Sequence, residues 1–284
     1  MNARELADRL ALVRSGRSWR GTCPACAYPR ALAIRDGKAG GIAAFCANGC
    51  DRATLRATLT GSPDGVPVPL DIANRPASTR RQKAALRLWE GSEAAAGTLA
   101  DSYLAGRALP GLAGSAALRF RADTPHPEGG QLPAMIALVS DATGAAMAAH
   151  RTFLTADGSG KASVEPARAS LGPVWGGAVR LAEPNGDGPV VIGEGIESAA
   201  SAGRMIGLAA WAAISAGNLA RGLVLPPGLR RVVIAVDPDP PGEAAAAEAA
   251  ARWSRAGLRV QLARPDGGGD FNDVLRARGG AHAG

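Results

Sequence analysis

Two short apolar runs, each followed directly by acidic residues, constrain the fold of this 284-residue chain more than any other feature. Residues 189–193 precede Glu194, and residues 232–236 precede Asp237 and Asp239. Short β-branched runs that are each followed by a helix-like segment predict buried parallel strands of an α/β sheet. Because ligands of such sheets bind beyond the carboxyl ends of the strands, the three carboxylates are expected to line one crevice.

A divalent cation is the expected companion of these acids. Carboxylates at close range push one another towards protonation unless a positive charge lies between them. Oxygen ligands suit a hard ion, and Mg²⁺ or Mn²⁺ is expected where phosphates are handled. Asp237 and Asp239 each precede a proline, which favours extended backbone and allows both carboxylates to face one side. The alternative is an ordinary doubly wound domain whose acids cap helices and meet water.

An acid after one strand, an intervening βα unit and Asp-x-Asp after a later strand together resemble the Toprim domain. Primases, type IA and type II topoisomerases and certain nucleases share that domain, and the resemblance covers about the last hundred residues. It implies that Glu194, Asp237 and Asp239 are catalytic and hold the metal. It also implies a third acidic position at Asp270, as a direct or water-mediated metal contact, with a helix N-cap as the alternative. Asn272 stands where that family commonly has a second acid, and this change is expected to weaken a second metal site.

Two further polar residues of the same region have open interpretations. Asn218 follows a predicted strand over residues 208–214 and is a candidate phosphate contact, although asparagine is common in turns without any function. Glu197 is expected in the first turn of a helix over residues 196–206, where an acid favours the helix dipole. A supporting role near the metal is the alternative for Glu197.

The four cysteines of the chain form two close pairs, C-x2-C and C-x3-C, separated by nineteen residues. Such pairs can place four thiolates around one tetrahedral Zn²⁺, and the ligands would be Cys23, Cys26, Cys46 and Cys50. Disulfides are an alternative that a cytosolic protein disfavours. A redox C-x-x-C is another, but it would leave the second pair unexplained. Strands are expected between the pairs, over residues 31–35 and 41–45.

This cysteine-bearing stretch resembles the zinc-binding N-terminal domain of bacterial, phage and plasmid primases. In that family the second ligand is frequently histidine, so Cys26 changes the ligand set to all sulfur. The resemblance implies contact with a single-stranded template, which agrees with the 10 basic and 4 acidic residues of segment 1–62. Trp19 and Phe45 either stack on bases or pack in the small core.

The central segment resembles the amino-terminal half of the primase catalytic core. A strand over residues 134–139, a turn, and a returning strand over residues 145–154 predict a hairpin. By the resemblance, Arg151 and Lys161 are candidates for contacts with a nucleotide triphosphate or the template backbone. A solvent-facing position on the strand is the alternative for Arg151, and His150 is expected to be structural.

The expected organisation has four parts. They are a zinc-ribbon module over residues 1–62, a linker over 63–79, an α+β primase-core subdomain over 80–183, and a Toprim domain with a Rossmann-like parallel sheet over 184–284. The linker is rich in proline and shows no hydrophobic periodicity, which is typical of a segment that connects two domains. Helices are also expected over residues 2–15 and 80–104, the latter broken near two glycines, with a turn-rich passage over residues 109–124.

The function expected from the resemblance is that of a primase-like nucleotidyltransferase acting on single-stranded DNA and nucleoside triphosphates. A separate replicative helicase is an expected partner, because no G-x-x-x-x-G-K-[ST] motif occurs in the chain. A Toprim-type nuclease and a non-catalytic nucleic-acid-binding protein are the alternatives. A cytoplasmic location is expected, since no apolar run approaches a membrane span and the N-terminus lacks an apolar signal region.

Overall fold

The computed structural model describes residues 2–16, 18–28, 30–37, 41–46, 50, 52–60, 70–72 and 79–280. The chain divides into two compact units, Met1–Thr79 and Arg80–Gly284. Within the described residues, no helix has the length and apolar character needed to cross a membrane. Most of the predicted linker, residues 63–69 and 73–78, lies outside the described residues.

The first unit is built on a five-stranded sheet in the order β1-β2-β3-β4-β5. Neighbouring strands are antiparallel from β1 to β4, and β5 runs parallel to β4. The strands are β1 (Val13–Ser15), β2 (Ser18–Gly21), β3 (Leu32–Asp36), β4 (Ile42–Cys46) and β5 (Leu70–Ile72). The predicted strand pair between the cysteines is confirmed as β3 and β4. Strand β5 corrects the linker prediction for residues 70–72.

Two helices accompany this sheet, α1 (Ala3–Arg9) and α2 (Arg52–Thr60). Helix α1 begins with a capping box, in which Asn2 and Glu5 each accept from the other's backbone N–H. The helix ends at Arg9, six residues before the end of the predicted helix, and residues 13–15 pair with β2 instead. Val13, the first residue of β1, is 73% exposed. The prediction of one helix over residues 2–15 is therefore wrong beyond its first two turns.

The second unit begins with an antiparallel sheet in the order β10-β9-β8-β7-β6. Its strands are β6 (Glu93–Ala94), β7 (Leu118–Pro125), β8 (Gln131–Ser140), β9 (Ala146–Phe153) and β10 (Arg168–Leu171). The predicted hairpin is confirmed as β8 and β9. Helices α3 (Thr79–Glu90) and α4 (Leu99–Gly106) confirm the broken helical segment. Strand β7 lies in the passage predicted as turn-rich, which corrects that prediction.

The last sheet has the order β11-β13-β12-β14-β15, and all of its pairs are parallel except that of β11. Its strands are β11 (Val179–Arg180), β12 (Val190–Gly193), β13 (Ala209–Ala212), β14 (Arg231–Ala235) and β15 (Arg259–Ala263). The helices are α5 (Ile196–Ile206), α6 (Pro240–Arg255) and α7 (Phe271–Gly280). The predicted α/β class is confirmed, and so are the predicted strands over residues 189–193, 208–214 and 232–236, as β12, β13 and β14.

One continuous apolar core joins the two sheets of the second unit. Met135 of β8, Val179 of β11 and Ala199 of α5 are buried together in it. A second buried cluster includes Ile192 of β12 and Ile234 of β14, and the helix residue Trp253 covers these strands. Strands β12 and β14 are therefore buried on both faces, which explains their unbroken apolar sequences.

Candidate active site and zinc site

The topology brings Glu194 and Asp237 to neighbouring positions at one edge of the parallel sheet. Strands β12 and β14 are direct neighbours, with Ile192 opposite Ile234. Glu194 directly follows β12, and Asp237 follows β14 by two residues. The acids that the sequence places far apart thus emerge at the carboxyl ends of parallel strands, and the structure shows that these two strands are adjacent.

Both aspartates of the Asp-x-Asp motif are fixed by local hydrogen bonds. Ser198, in the first turn of α5, donates to Oδ1 of Asp237 over 2.7 Å. Asp239 has extended backbone, with φ −112° and ψ 159°, and caps α6 by accepting from the N–H of Gly242 over 2.7 Å. A Cβ at Gly242 would lie 2.5 Å from the carbonyl oxygen of Asp237, so the first turn of α6 requires glycine there.

Asp270 caps helix α7 and also belongs electrostatically to the same group. Its Oδ1 accepts from the N–H of Asp273 over 2.9 Å, and Asp273 accepts in return from the N–H of Asp270 over 3.2 Å. Its charge contributes to raising the pKa of Asp237. We therefore call Glu194, Asp237, Asp239 and Asp270 the acidic cluster. The N-cap accounts for one oxygen of Asp270, and its metal contact stays a prediction.

Asn272, two residues after Asp270, is buried and bonded to other segments of the unit. It is 1% exposed, and its amide donates to the carbonyl oxygen of Arg107 over 2.7 Å and to Oγ of Ser201 over 3.0 Å. The residue ties α7 to the body of the unit. The weaker second metal site expected from the loss of an acid at this position stays a prediction.

Burial and mutual repulsion make Glu194 and Asp237 hard to ionise. Burial, followed by the charge of Asp237, raises the pKa of Glu194 to about 7. Burial also raises the pKa of Asp237, with contributions from Asp270 and Asp239, against the lowering effect of the Ser198 hydrogen bond. A cation bound among these oxygens would relieve both effects, so the donor set and its electrostatics fit Mg²⁺ or Mn²⁺.

Arg168, at the start of β10, is the basic residue whose charge acts on two members of the acidic cluster. It lowers the pKa of both Glu194 and Asp237. A Cβ built on Gly195 would lie 4.0 Å from its Nη1. Its side chain is exposed, and its guanidinium forms no hydrogen bond or ion pair with the residues that the structure describes. Sequence reasoning missed Arg168 because no local motif marks it, and only the folded chain brings it near Gly195.

Lys161 pairs with the buried acid Glu197. Its Nζ lies 2.9 Å from Oε1 of Glu197, and Tyr103 donates its hydroxyl to the same oxygen. Burial would raise the pKa of Glu197, but the charge of Lys161 and the Tyr103 hydrogen bond lower it to about 2. Glu197 is confirmed in the first turn of α5. The nucleotide contact predicted for Lys161 stays a prediction. The ammonium would make that contact while it is paired with Glu197.

Two predicted nucleotide contacts are structural instead. Arg151 is 7% exposed and donates to the carbonyl oxygens of Ala169 and Pro125. Asn218 is 0% exposed; it accepts from the N–H of Gly176 and donates to two carbonyl oxygens, those of Gly177 and Ala213. Because both side chains are buried and bonded to backbone, they cannot reach a phosphate without loss of these bonds. These two assignments are corrected.

His150 has the structural character expected of it. Its Nδ1 lies 2.8 Å from Oγ of Ser170 on the neighbouring strand. Burial, together with the charge of Arg168, lowers the pKa of His150 to about 3. The imidazole is therefore neutral at physiological pH.

The four cysteines of the first unit converge on one point. Their Sγ atoms all lie within 4.8 Å of one another, with Cys23 and Cys50 at 4.0 Å and Cys26 and Cys46 at 3.7 Å. Four sulfurs at about 2.3 Å from a tetrahedral Zn²⁺ would be about 3.8 Å apart, so the donor set fits zinc. All four are free thiols, which does not support the disulfide alternative. Hydrogen bonds among the four thiols lower the pKa of Cys23 and raise the pKa of Cys46 and Cys50.

The two candidate metal sites differ in how closely their ligands are gathered. Within the described parts of the chain, the four cysteines are the one group of three or more possible metal ligands that already surrounds a common point. The carboxylates of the acidic cluster are less closely gathered than the thiols. Asp237 and Asp239 also accept hydrogen bonds from Ser198 and Gly242. Oxygens of both aspartates remain available beyond these two bonds.

Two family models match the second unit of the chain. Residues 189–281 match the Toprim domain, and residues 79–181 match a domain of unknown function. The Toprim match includes β12 to β15 and every member of the acidic cluster. No curated protein matches the chain.

Solved structures similar to this chain include three primases. The zinc-binding and RNA polymerase domains of Aquifex aeolicus primase are 14% identical, with 99% of this chain and 82% of that chain covered and a TM-score of 0.49. A DNA primase domain from Pseudomonas aeruginosa is 16% identical, with 72% and 77% covered and a TM-score of 0.46. The primase fragment of the bacteriophage T7 primase-helicase protein is 11% identical, with 92% and 95% covered and a TM-score of 0.45.

Proposed function

Residues 189–281 of this chain are a Toprim domain, and on that premise we propose that the protein is a primase-like nucleotidyltransferase that synthesises short primers on single-stranded DNA. The observation that carries the proposal is the convergence of Glu194 and Asp237 from adjacent parallel strands, with Arg168 beside them. Phosphoryl transfer requires two components: carboxylates that hold a metal ion, and a basic side chain that binds phosphate.

The acidic cluster would hold one or two Mg²⁺ or Mn²⁺ ions. When bound, the metal supplies charge neutralisation for the triphosphate and activation of the attacking 3′-hydroxyl. Ser198 keeps Asp237 in a fixed orientation through its hydrogen bond. The cap at Gly242 does the same for Asp239. Both aspartates are thereby oriented before substrate arrives, which lowers the cost of ordering them on binding.

Arg168 would bind the phosphate end of the nucleotide. A guanidinium presents paired donors that match the oxygens of a phosphate. Its Nη1 lies near Gly195, the residue after Glu194, so the guanidinium would contact a phosphate that is bound at the acidic cluster.

The first unit would engage the template. Its zinc site would hold β3 and β4 in place. Arg20, Arg35 and Phe45 line a depression of about 250 Å³ on one face of the sheet, whose floor is made of small residues such as Ala33 and Ala43. Two cations and an exposed part of an aromatic ring suit a backbone phosphate and a stacked base. Partnership with a replicative helicase stays a prediction from the resemblance.

A primer-synthesis assay tests the proposal. The protein is incubated with single-stranded DNA, labelled nucleoside triphosphates and Mg²⁺, and products are separated on a denaturing gel. We expect oligonucleotide products from the wild type and from Asp187→Asn, and none from Asp237→Asn. Asp187 is a matched control because it is exposed in the turn before β12, at the opposite end of the strand from Glu194.

The same assay separates the alternatives. Cleavage of the template that depends on Asp237 would assign the site to a Toprim nuclease. A gel shift of single-stranded DNA without synthesis or cleavage would leave only a binding protein, and it would refute the proposed activity.

A further inference from the structure

Glu197 is a buried acid for which the proposed chemistry has no use. It lies in the first turn of α5, three residues after Glu194, and its side chain is 9% exposed. Its Oε1 contacts Nζ of Lys161 and accepts the hydroxyl of Tyr103. Lys161 comes from the segment between β9 and β10, and Tyr103 comes from α4, so three distant segments meet at one carboxylate.

This buried group adjoins the acidic cluster through Gly195. A Cβ on Gly195 would lie 3.9 Å from Oε2 of Glu197 and 4.0 Å from Nη1 of Arg168. The second carboxylate oxygen of Glu197 therefore faces the same small space as the guanidinium. Arg168 in turn affects the pKa of both Glu197 and Glu194. Three charged side chains thus lie close together near Gly195, those of Lys161, Glu197 and Arg168.

Stability alone does not explain a charged pair at this place. A buried ion pair is often no more stabilising than apolar residues of similar volume, because both charges lose their hydration. The ammonium of Lys161 offers three donors, of which the carboxylate of Glu197 takes one. Its side chain is still 26% exposed, so the remaining donors lie close to solvent.

We propose that Glu197 is a positioning residue for the nucleotide triphosphate, acting through Lys161. The carboxylate holds the ammonium in place, so that its remaining donors meet a phosphate oxygen on the side already occupied by Arg168. Glu197 itself does not touch substrate. This inference rests on the proposed function, since it names the group that receives the phosphate end of that function's substrate.

A double-mutant cycle on the full-length chain tests the inference. The variants are Glu197→Gln, Lys161→Met and the double variant, with Glu248→Gln as a control that removes the acid of an exposed ion pair on α6. Isothermal titration calorimetry with ATP in the presence of Mg²⁺ gives the Kd, and thermal unfolding gives the stability of each variant.

We expect each single variant to weaken ATP binding by roughly ten- to a hundredfold, the range set by one charge-assisted hydrogen bond. The double variant should bind no more weakly than Lys161→Met, because Glu197 acts through that lysine. Its Tm should nevertheless recover towards the wild-type value, since neither buried charge is left unpaired. The control should match the wild type in Kd.

Recovery of ATP affinity together with Tm in the double variant would show a purely structural pair and overturn the inference. Wild-type affinity in Glu197→Gln would do the same. In either case primer synthesis by the wild type would leave the proposed function standing. A wild type that neither binds ATP nor makes primers would remove the proposed function and this inference with it.

Discussion

Replacing Glu194 by glutamine should stabilise the metal-free protein at alkaline pH. Burial, with the charge of Asp237, raises the pKa of Glu194 from 4.5 to about 7 in the folded chain. A raised folded pKa means that the folded state binds the proton more tightly than the unfolded state. The stability from that proton is fully present below pH 4.5 and is lost as pH rises through 7.

The expected size follows from the two pKa values. At about 1.4 kcal/mol per pKa unit, ionisation of Glu194 lowers the free energy of unfolding by about 3 kcal/mol at pH 8, as an order of magnitude. Glutamine has nearly the same shape and carries no charge at any pH. Glu194→Gln should therefore be about 3 kcal/mol more stable than the wild type at pH 8, and nearly equal to it at pH 4.5.

Urea unfolding in EDTA, followed at pH 4.5 and pH 8, measures this difference. Glu243→Gln is a control, because Glu243 is exposed and its pKa is lowered by the hydrogen bonds from Arg264. This control should show no gain in stability at pH 8. A Glu194→Gln protein that gains nothing between the two pH values would refute the claim that the acidic cluster is repulsive without a cation.

Three further variants test separate parts of the structure. Cys26→Ser should lower the bound zinc measured by elemental analysis, whereas unchanged zinc would exclude Cys26 as a ligand. Asn272→Ala should destabilise the second unit by about 1–3 kcal/mol in urea, because the carbonyl oxygen of Arg107 loses its donor; wild-type stability would contradict the tie that we assign to it. Asn218→Ala should also destabilise the unit while leaving the Kd for ATP unchanged, and a weaker Kd would return Asn218 to the nucleotide site.

The strands that carry the acids could be predicted because their sequences depend on burial alone. Residues 190–193 and 232–235 are buried on both faces of a parallel sheet, so an unbroken apolar run is the direct signature. The position of Glu194 beside the end of β14 follows from the strand order of the sheet, in which β12 and β14 are neighbours. Strand β7 could also have been found, since Leu118 and Phe120 alternate with half-buried arginines.

The contacts of single polar side chains could not be predicted in the same way. Asn218 bonds to backbone atoms of Gly176 and Gly177, about forty residues earlier, and nothing in the local sequence marks those partners. Arg151 is likewise satisfied by carbonyl oxygens of other strands. A basic or amide side chain predicts a polar contact. Only the fold shows whether its partner is a bound ligand or the backbone of the chain.

Short elements at the edges of the sheets were missed for a different reason. Strands β1 and β5 have three residues each, and neither is long enough to show a period. They exist because β2 and β4 offer free edges for pairing. Such strands depend on their neighbours and have little signal of their own.

The position of a bound divalent cation tests the central claim most directly. Crystals of the full chain soaked in Mn²⁺ and a non-hydrolysable nucleoside triphosphate analogue would give an anomalous difference peak at each bound ion. We predict a peak coordinated by both Glu194 and Asp237, from the ends of two adjacent strands, with a phosphate oxygen of the analogue. A peak that contacts only one of these acids, or no peak between them, would contradict the account.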